Sequence, residues 1–185
     1  SLHDALPISG YPNPLANSCM LHSLFKGIRR SLGDQCKPKL PITIDILRHL
    51  FQVIDLGSEL DLCFWCACCL AFFSFLRKSN LFVDGQNQHL GLRRGDLTFL
   101  PHGVLISISA SKTIQFKERH IDIPLARIPA SALCPAQAAL LLTKLVKGDL
   151  GAPLFQFHTR EGQVAVLSYK RFLSLLKDKL SRLGY

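Results

Sequence analysis

The chain has 185 residues, enough for one domain of ordinary size or one domain with a piece of another. Hydrophobic residues make up 48% and the mean hydropathy is +0.22, which supplies material for a core and excludes a disordered chain. Lys and Arg number 22 against 13 Asp and Glu, and this net charge of +9 favours a polyanionic partner, nucleic acid before anionic membrane.

The first nine residues, SLHDALPIS, follow no periodicity and read as translated sequencing-adapter sequence, a non-natural leader (1–9) outside the fold. NPLANSCMLHSLFKGIRRSLG (13–33) predicts a helix, with Leu21, Leu24, Phe25 and Ile28 at helical spacing and Gly33 as its stop. DQCKPKLP (34–41) is a linker. Thr43 is placed to cap a helix over 44–55 whose apolar face is Ile46, Leu47, Leu50, Phe51 and Ile54. Leu60 to Leu76 is apolar nearly all round, so it reads as the central buried helix. Asp61 and Ser74 interrupt it, and it falls short of the roughly 20 apolar residues that a membrane span needs.

GQNQHLG (85–91) is a loop, and LRRGDLTFLPHG (92–103) is short and strand-like with a turn at Pro101 to Gly103. VLISISAS (104–111) and FKERHIDIPL (116–125) alternate with period two, as half-buried strands do, which puts Lys112 to Gln115 at or near a hairpin turn. CPAQAALLLTKLVKG (134–148) predicts a helix with Pro135 in its first turn and Gly148 after its end. GAPLFQF (151–157) is a short strand or an extended segment. LSYKRFLSLLKDKLSRLG (167–184) is a last amphipathic helix with Phe172, Leu173, Leu176 and Leu180 as its stripe. Helices, then a small antiparallel sheet, then helices make an α+β fold, mostly α-helical.

Seven cysteines are present, four of them in CFWCACC (63–69). Their odd number and apolar helical setting point to reduced thiols in an intracellular protein. Cys63, Cys66, Cys68 and Cys69 share one helix, whereas a structural zinc draws ligands from two elements, so they read as core packing and no metal is expected. His89 and His120 stand alone. Arg77 follows the buried helix in FLRKSNL, on a rigid mount, and its planar fork suits a phosphate. Lys112, at a hairpin tip, is a compact proton donor, with Lys117 as its rival. Arg93, Arg94, Lys117 and Arg119 form either a stripe facing DNA or a solvated face.

LRKSNL (76–81), LRRGDL (92–97) and ISASKTIQFKERHIDIPL (108–125), in this order and spacing, resemble the catalytic domain of the tyrosine recombinase, or phage integrase, family. The likeness is greatest to eukaryotic members carried by mobile elements of retrotransposon and crypton type, and it covers about residues 13–185. It implies that residues 10–40 are the end of an N-terminal helical DNA-gripping domain with its linker, with KGIRRSLG…KPKLPIT (26–43) as the junction. Residues 41–185 are then part of the catalytic domain. Arg77 matches the first catalytic arginine and Lys112 the hairpin lysine. In that chemistry a tyrosine attacks the scissile phosphate, two arginines stabilise the charge on its non-bridging oxygens, and the lysine protonates the leaving 5′ oxygen. The phosphotyrosyl link conserves the bond energy, so no cofactor is implied. The implied partner is double-stranded DNA and not a membrane, with a homo-oligomer assembling on DNA in the full-length protein and a nuclear location.

The chain departs from the family at Asn80, where many members carry an acidic residue, and after Lys112 it has no His-x-x-Arg box. His158-Thr159-Arg160 has the wrong spacing. Tyr185 comes too early to be the nucleophile and reads as a frayed end, while Tyr169 reads as a packing or DNA-facing residue of the last helix. The sequence therefore reads as a fragment of a recombinase used in DNA recombination and integration, inactive alone. The alternatives are a non-catalytic DNA-binding module derived from one and, more remotely, a helical protein-interaction domain. A downstream His-x-x-Arg and tyrosine would separate the first from the second, and failure to bind any DNA would favour the third.

Overall fold

A computed structural model describes residues 18–33, 41–83, 91–108 and 120–185. The chain divides into two units, 1–41 and 42–185. In the first, helix α1 (Cys19–Leu32) starts where the Ser18 hydroxyl accepts from the Leu21 amide and stops at Gly33, whose φ of 75° lies in the left-handed region that a glycine tolerates. None of the α1 residues is buried.

The second unit is built around one helix. Helix α2 (Ile44–Gln52) is capped by Thr43, which accepts from the Ile46 amide, and it buries Leu47 and Leu50. Helix α3 (Glu59–Ser74) is capped by Ser58 and is buried without a break from Leu62 to Leu70. A helix apolar on every side has no solvent face to offer, so it must lie at the centre, as its sequence predicts. Each large side chain that it buries contributes roughly 1.5–3 kcal/mol. The four cysteines of this run are free thiols, and burial raises them all; Cys63 is pushed up to about 12. At neutral pH they are inert packing groups. Phe75 ends the helix in the left-handed conformation at φ 53°, and the short helix α4 (Lys78–Leu81) follows.

A 3₁₀ turn at Arg94–Asp96 leads into β1 (Leu97–Leu100), β2 (Gly103–Ile108) and β3 (Ile121–Ala126), an antiparallel sheet in that order. Register pairs Leu97 with Ile106, and Ile106 with Ile123. Pro124 lies on β3, an edge strand, where its missing amide costs least. Gly103 is required at the β1–β2 turn, because a Cβ there would collide with the Leu125 carbonyl oxygen.

Helix α5 (Pro135–Leu145) packs against α3, with Pro135 in its first turn and the Cys134 sulfur accepting from the Gln137 amide. The expected stop at Gly148 lies farther along than the helix end, which falls at Leu145. Two short strands, β4 (Gln156–His158) and β5 (Val164–Val166), form a second sheet. The sequence had suggested only the first. Helix α6 (Tyr169–Arg182) closes the unit, capped by Ser168 and burying Phe172 against Phe64 and Phe82. The architecture is α+β, helical with a small antiparallel sheet, as the order of sequence patterns implies. Among the described residues no helix is long and apolar enough to cross a membrane.

Candidate nucleic-acid interface

Arg77 owes its position to the way α3 ends. The left-handed turn at Phe75 breaks the helix, and Arg77 becomes the N-cap of α4, its carbonyl accepting from the Asn80 and Leu81 amides at 2.9 and 3.2 Å. Asn80 and Leu81 are buried beneath it, so the backbone of this turn is pinned from below. The Arg77 side chain is exposed, and among the described residues it has no hydrogen bond and no ion pair. Next to it, the Lys78 ammonium lies over the Tyr169 ring, 4.9 Å from its centroid, and that ring also leans on Phe82 at 5.8 Å. The result is a small basic surface with an aromatic floor, made from the end of α3, from α4 and from the start of α6.

The other candidates divide. Lys112, Lys117 and Arg119 lie outside the described residues. They belong to the stretch 109–120 between β2 and β3, whose facing ends Ile108 and Ile121 are paired. Arg93 is half-buried, and its guanidinium donates to the Gly151 carbonyl while its amide donates to the Asp96 carboxylate. Arg94 departs from the expected outward-facing stripe: it is buried, at 6% exposure. Its backbone amide bonds to the Ala152 carbonyl, which turns the side chain inward. Its Nε and Nη2 find no partner among the described residues. Desolvation lowers its pKa, while Cys63 and Glu59 oppose that shift. Gly148 makes the room, since a Cβ there would sit 2.8 Å from the Arg94 Nε and closer still to the Gln156 amide nitrogen. The two arginines of LRRGDL thus have different tasks, which their identical side chains conceal in the sequence.

Tyr169, read as a packing or DNA-facing residue, packs on Phe82 at the start of α6, yet stays 36% exposed and carries Lys78 on its face. Tyr185 is tied down rather than frayed, its hydroxyl 2.7 Å from His49 Nδ1 and its amide bonded to the Leu180 carbonyl. His158, read only for its spacing, is held by Glu59, whose carboxylate accepts from its amide at 2.7 Å and meets its Nδ1 at 3.0 Å. Burial pushes the Glu59 carboxyl up, but the His158 amide and ring, with Arg94 behind, hold it below its ordinary value. An acid at the start of a helix followed a long way on by a histidine on a strand is not a pattern that spacing reveals. Among the described residues no group of three or more His, Cys, Asp and Glu could hold a metal ion. No family model matches the chain, and no curated protein matches it.

Proposed function

We propose that the chain is a DNA-binding part of a site-specific DNA recombinase of the tyrosine type, in which Arg77 grips a backbone phosphate and Lys112 serves the leaving oxygen. The observation that carries this reading is the state of Arg77: a guanidinium exposed and, among the described residues, unpartnered, on a backbone fixed from below. An arginine whose only role is to end a helix gains by pairing with a neighbouring carboxylate or carbonyl. An arginine kept open on a rigid mount is preorganised for a bidentate anion. Lys78 adds a second positive charge, and Tyr169 holds it in place by a cation–π contact. The net charge of +9 supplies the long-range attraction. In this reading double-stranded DNA is the partner, and neither a metal nor a nucleotide cofactor takes part.

The test is a duplex titration by fluorescence anisotropy across a range of salt. The wild-type chain is expected to bind in the non-specific range, roughly 10⁻⁴ to 10⁻⁶ M, with affinity falling steeply as salt rises. Arg77→Ala should weaken binding equally for unrelated sequences and lower the salt slope by about 1. Arg77→Lys should recover the slope and only part of the affinity, because the fork is lost and the charge is kept. Binding that ignores salt, or an Arg77→Ala variant with wild-type affinity, overturns the reading.

A further inference from the structure

At the start of α3 the surface sinks into a concavity of about 730 Å³ lined by Gly57 to Leu60 on one side and by Phe157 to Arg160 with Arg171 on the other. Arg77 follows the opposite end of α3, a helix about 24 Å long, so this is a separate place on the molecule. We propose that it is a phosphate-binding site, independent of the DNA reading given above.

Four features converge there. Arg160 stands on the β4–β5 turn, which is closed by the Thr159 amide donating to the Gln163 carbonyl and the Gly162 amide donating to the Thr159 carbonyl, with Gly162 at φ 77°. Arg171 reaches in from α6 with its guanidinium 4.9 Å over the Phe157 ring, which fixes its plane. Among the described residues neither arginine has an ion pair, because the one acid on the wall, Glu59, is turned to His158. At the first turn of α3 the Ser58 hydroxyl and carbonyl accept from the Asp61 and Leu62 amides, which leaves the Glu59 and Leu60 amides without a partner among the described residues.

The buried Arg94 is the further observation that favours an anion. Among the described residues two of its guanidinium nitrogens have no partner, and its positive charge acts on the pocket wall, where it helps to hold the Glu59 carboxyl down. Three guanidiniums, one buried and two on the wall, against the single Glu59 carboxylate leave this place with an excess of positive charge. The matching chemistry is a phosphate group with its several oxygens: two guanidinium forks from one side, helix amides from the other. Such a group can come from a small phosphate ester or from a DNA backbone that passes this end of α3.

The probe is inorganic phosphate, titrated calorimetrically into the full chain at low salt. Saturable binding is expected, weakened about tenfold by Arg160→Gln and by Arg171→Gln, since each removes a charge-assisted hydrogen bond. Arg48→Gln, which removes the same charge from an exposed pair with Asp45, should leave it unchanged. Arg160 makes no hydrogen bond among the described residues, so its variant should unfold at the wild-type urea midpoint and report the site alone. Arg94→Met should weaken phosphate about threefold, through the field rather than contact. A duplex titration separates the sources. If Arg160→Gln weakens duplex and phosphate by the same factor, the ligand is the DNA backbone; if it leaves duplex unchanged, the ligand is a small phosphate ester. Phosphate that does not saturate, or saturation that survives both arginine substitutions, overturns the site.

Discussion

Among the described residues of the unit 42–185 two cations are buried, and the fold treats them in opposite ways. Lys179, where α6 crosses the start of α3, has every need met: its ammonium is 2.8 Å from the Asp61 carboxylate and 3.3 Å from the Val53 carbonyl, and it lies 5.6 Å from the Phe64 ring centroid. Arg94, behind the 3₁₀ turn, leaves two guanidinium nitrogens without partners among the described residues. Burying a charge costs several kcal/mol, and only a partner with good geometry offsets it. Lys179 is therefore a fastening between α6 and α3. Arg94 is a standing cost, and a cost retained in the interior calls for a use outside stability. Arg77 supplies the third case, a cation that avoids the desolvation cost by staying in water.

The sharpest way to break the contrast is Lys179→Met. It strands the Asp61 carboxylate, which is left with the Asp55 amide alone, and the expected loss is about 3 kcal/mol in urea unfolding. A loss under about 1 kcal/mol, the ordinary worth of an exposed pair, would show that solvent reaches it. Next in size is Gly148→Val. Its Cβ would meet the Arg94 Nε and the Gln156 amide nitrogen, and overpacking there should cost about 2 kcal/mol. Combining it with Arg94→Met should recover much of that, because the two changes share one space.

Arg94→Met alone has the opposite sign. A flexible thioether side chain fills the volume without polar atoms to desolvate, so stability should rise by about 1 kcal/mol at an unchanged denaturant slope. A fall in stability would mean that the guanidinium is satisfied in solution, and the contrast with Lys179 would disappear. Against both, Arg77→Ala should move the unfolding midpoint by less than about 0.5 kcal/mol while it changes DNA affinity, since its side chain holds nothing in the fold.

These cations also mark the limit of what the sequence could tell. The elements were legible because their signals are local: Thr43 as a cap, Pro135 in a first turn, period two over 104–108, and the apolar run of α3. Arg77 was legible too, because its exposure follows from where α3 must end. The Arg94 environment was not, because it is set by Gly148, Gln156 and Ala152, all brought in from beyond the first sheet. Nor was the Glu59–His158 pair, which joins residues 59 and 158. Strand β5 escaped notice because Val164-Ala165-Val166 is too short to show an alternation. Side chains of one type diverge when long-range partners decide their surroundings, and no local pattern records those partners.

The smallest expected effect lies at Glu59 and concerns pH. Its carboxyl is pushed up by burial but held below its ordinary value of 4.5 by the His158 amide and ring and by Arg94. A carboxyl with a lower pKa in the folded than in the unfolded chain stabilises the fold in its ionised form. That contribution is fully present above pH 4.5 and is lost as pH falls through the folded value. Glu59→Gln removes it, so the stability difference between wild type and variant should shrink as the pH drops below about 5. The side chain is 32% exposed, so solvent screens the pair and the difference should be small, best read from urea midpoints of both proteins at closely spaced pH values. In Arg94→Met the same acid limb should move toward the ordinary carboxylate range, because one of the charges that hold Glu59 down is gone. If the limb stays where it is, the Arg94 charge does not reach the wall of the concavity, and the open guanidiniums of Arg160 and Arg171 must attract an anion without help from the interior.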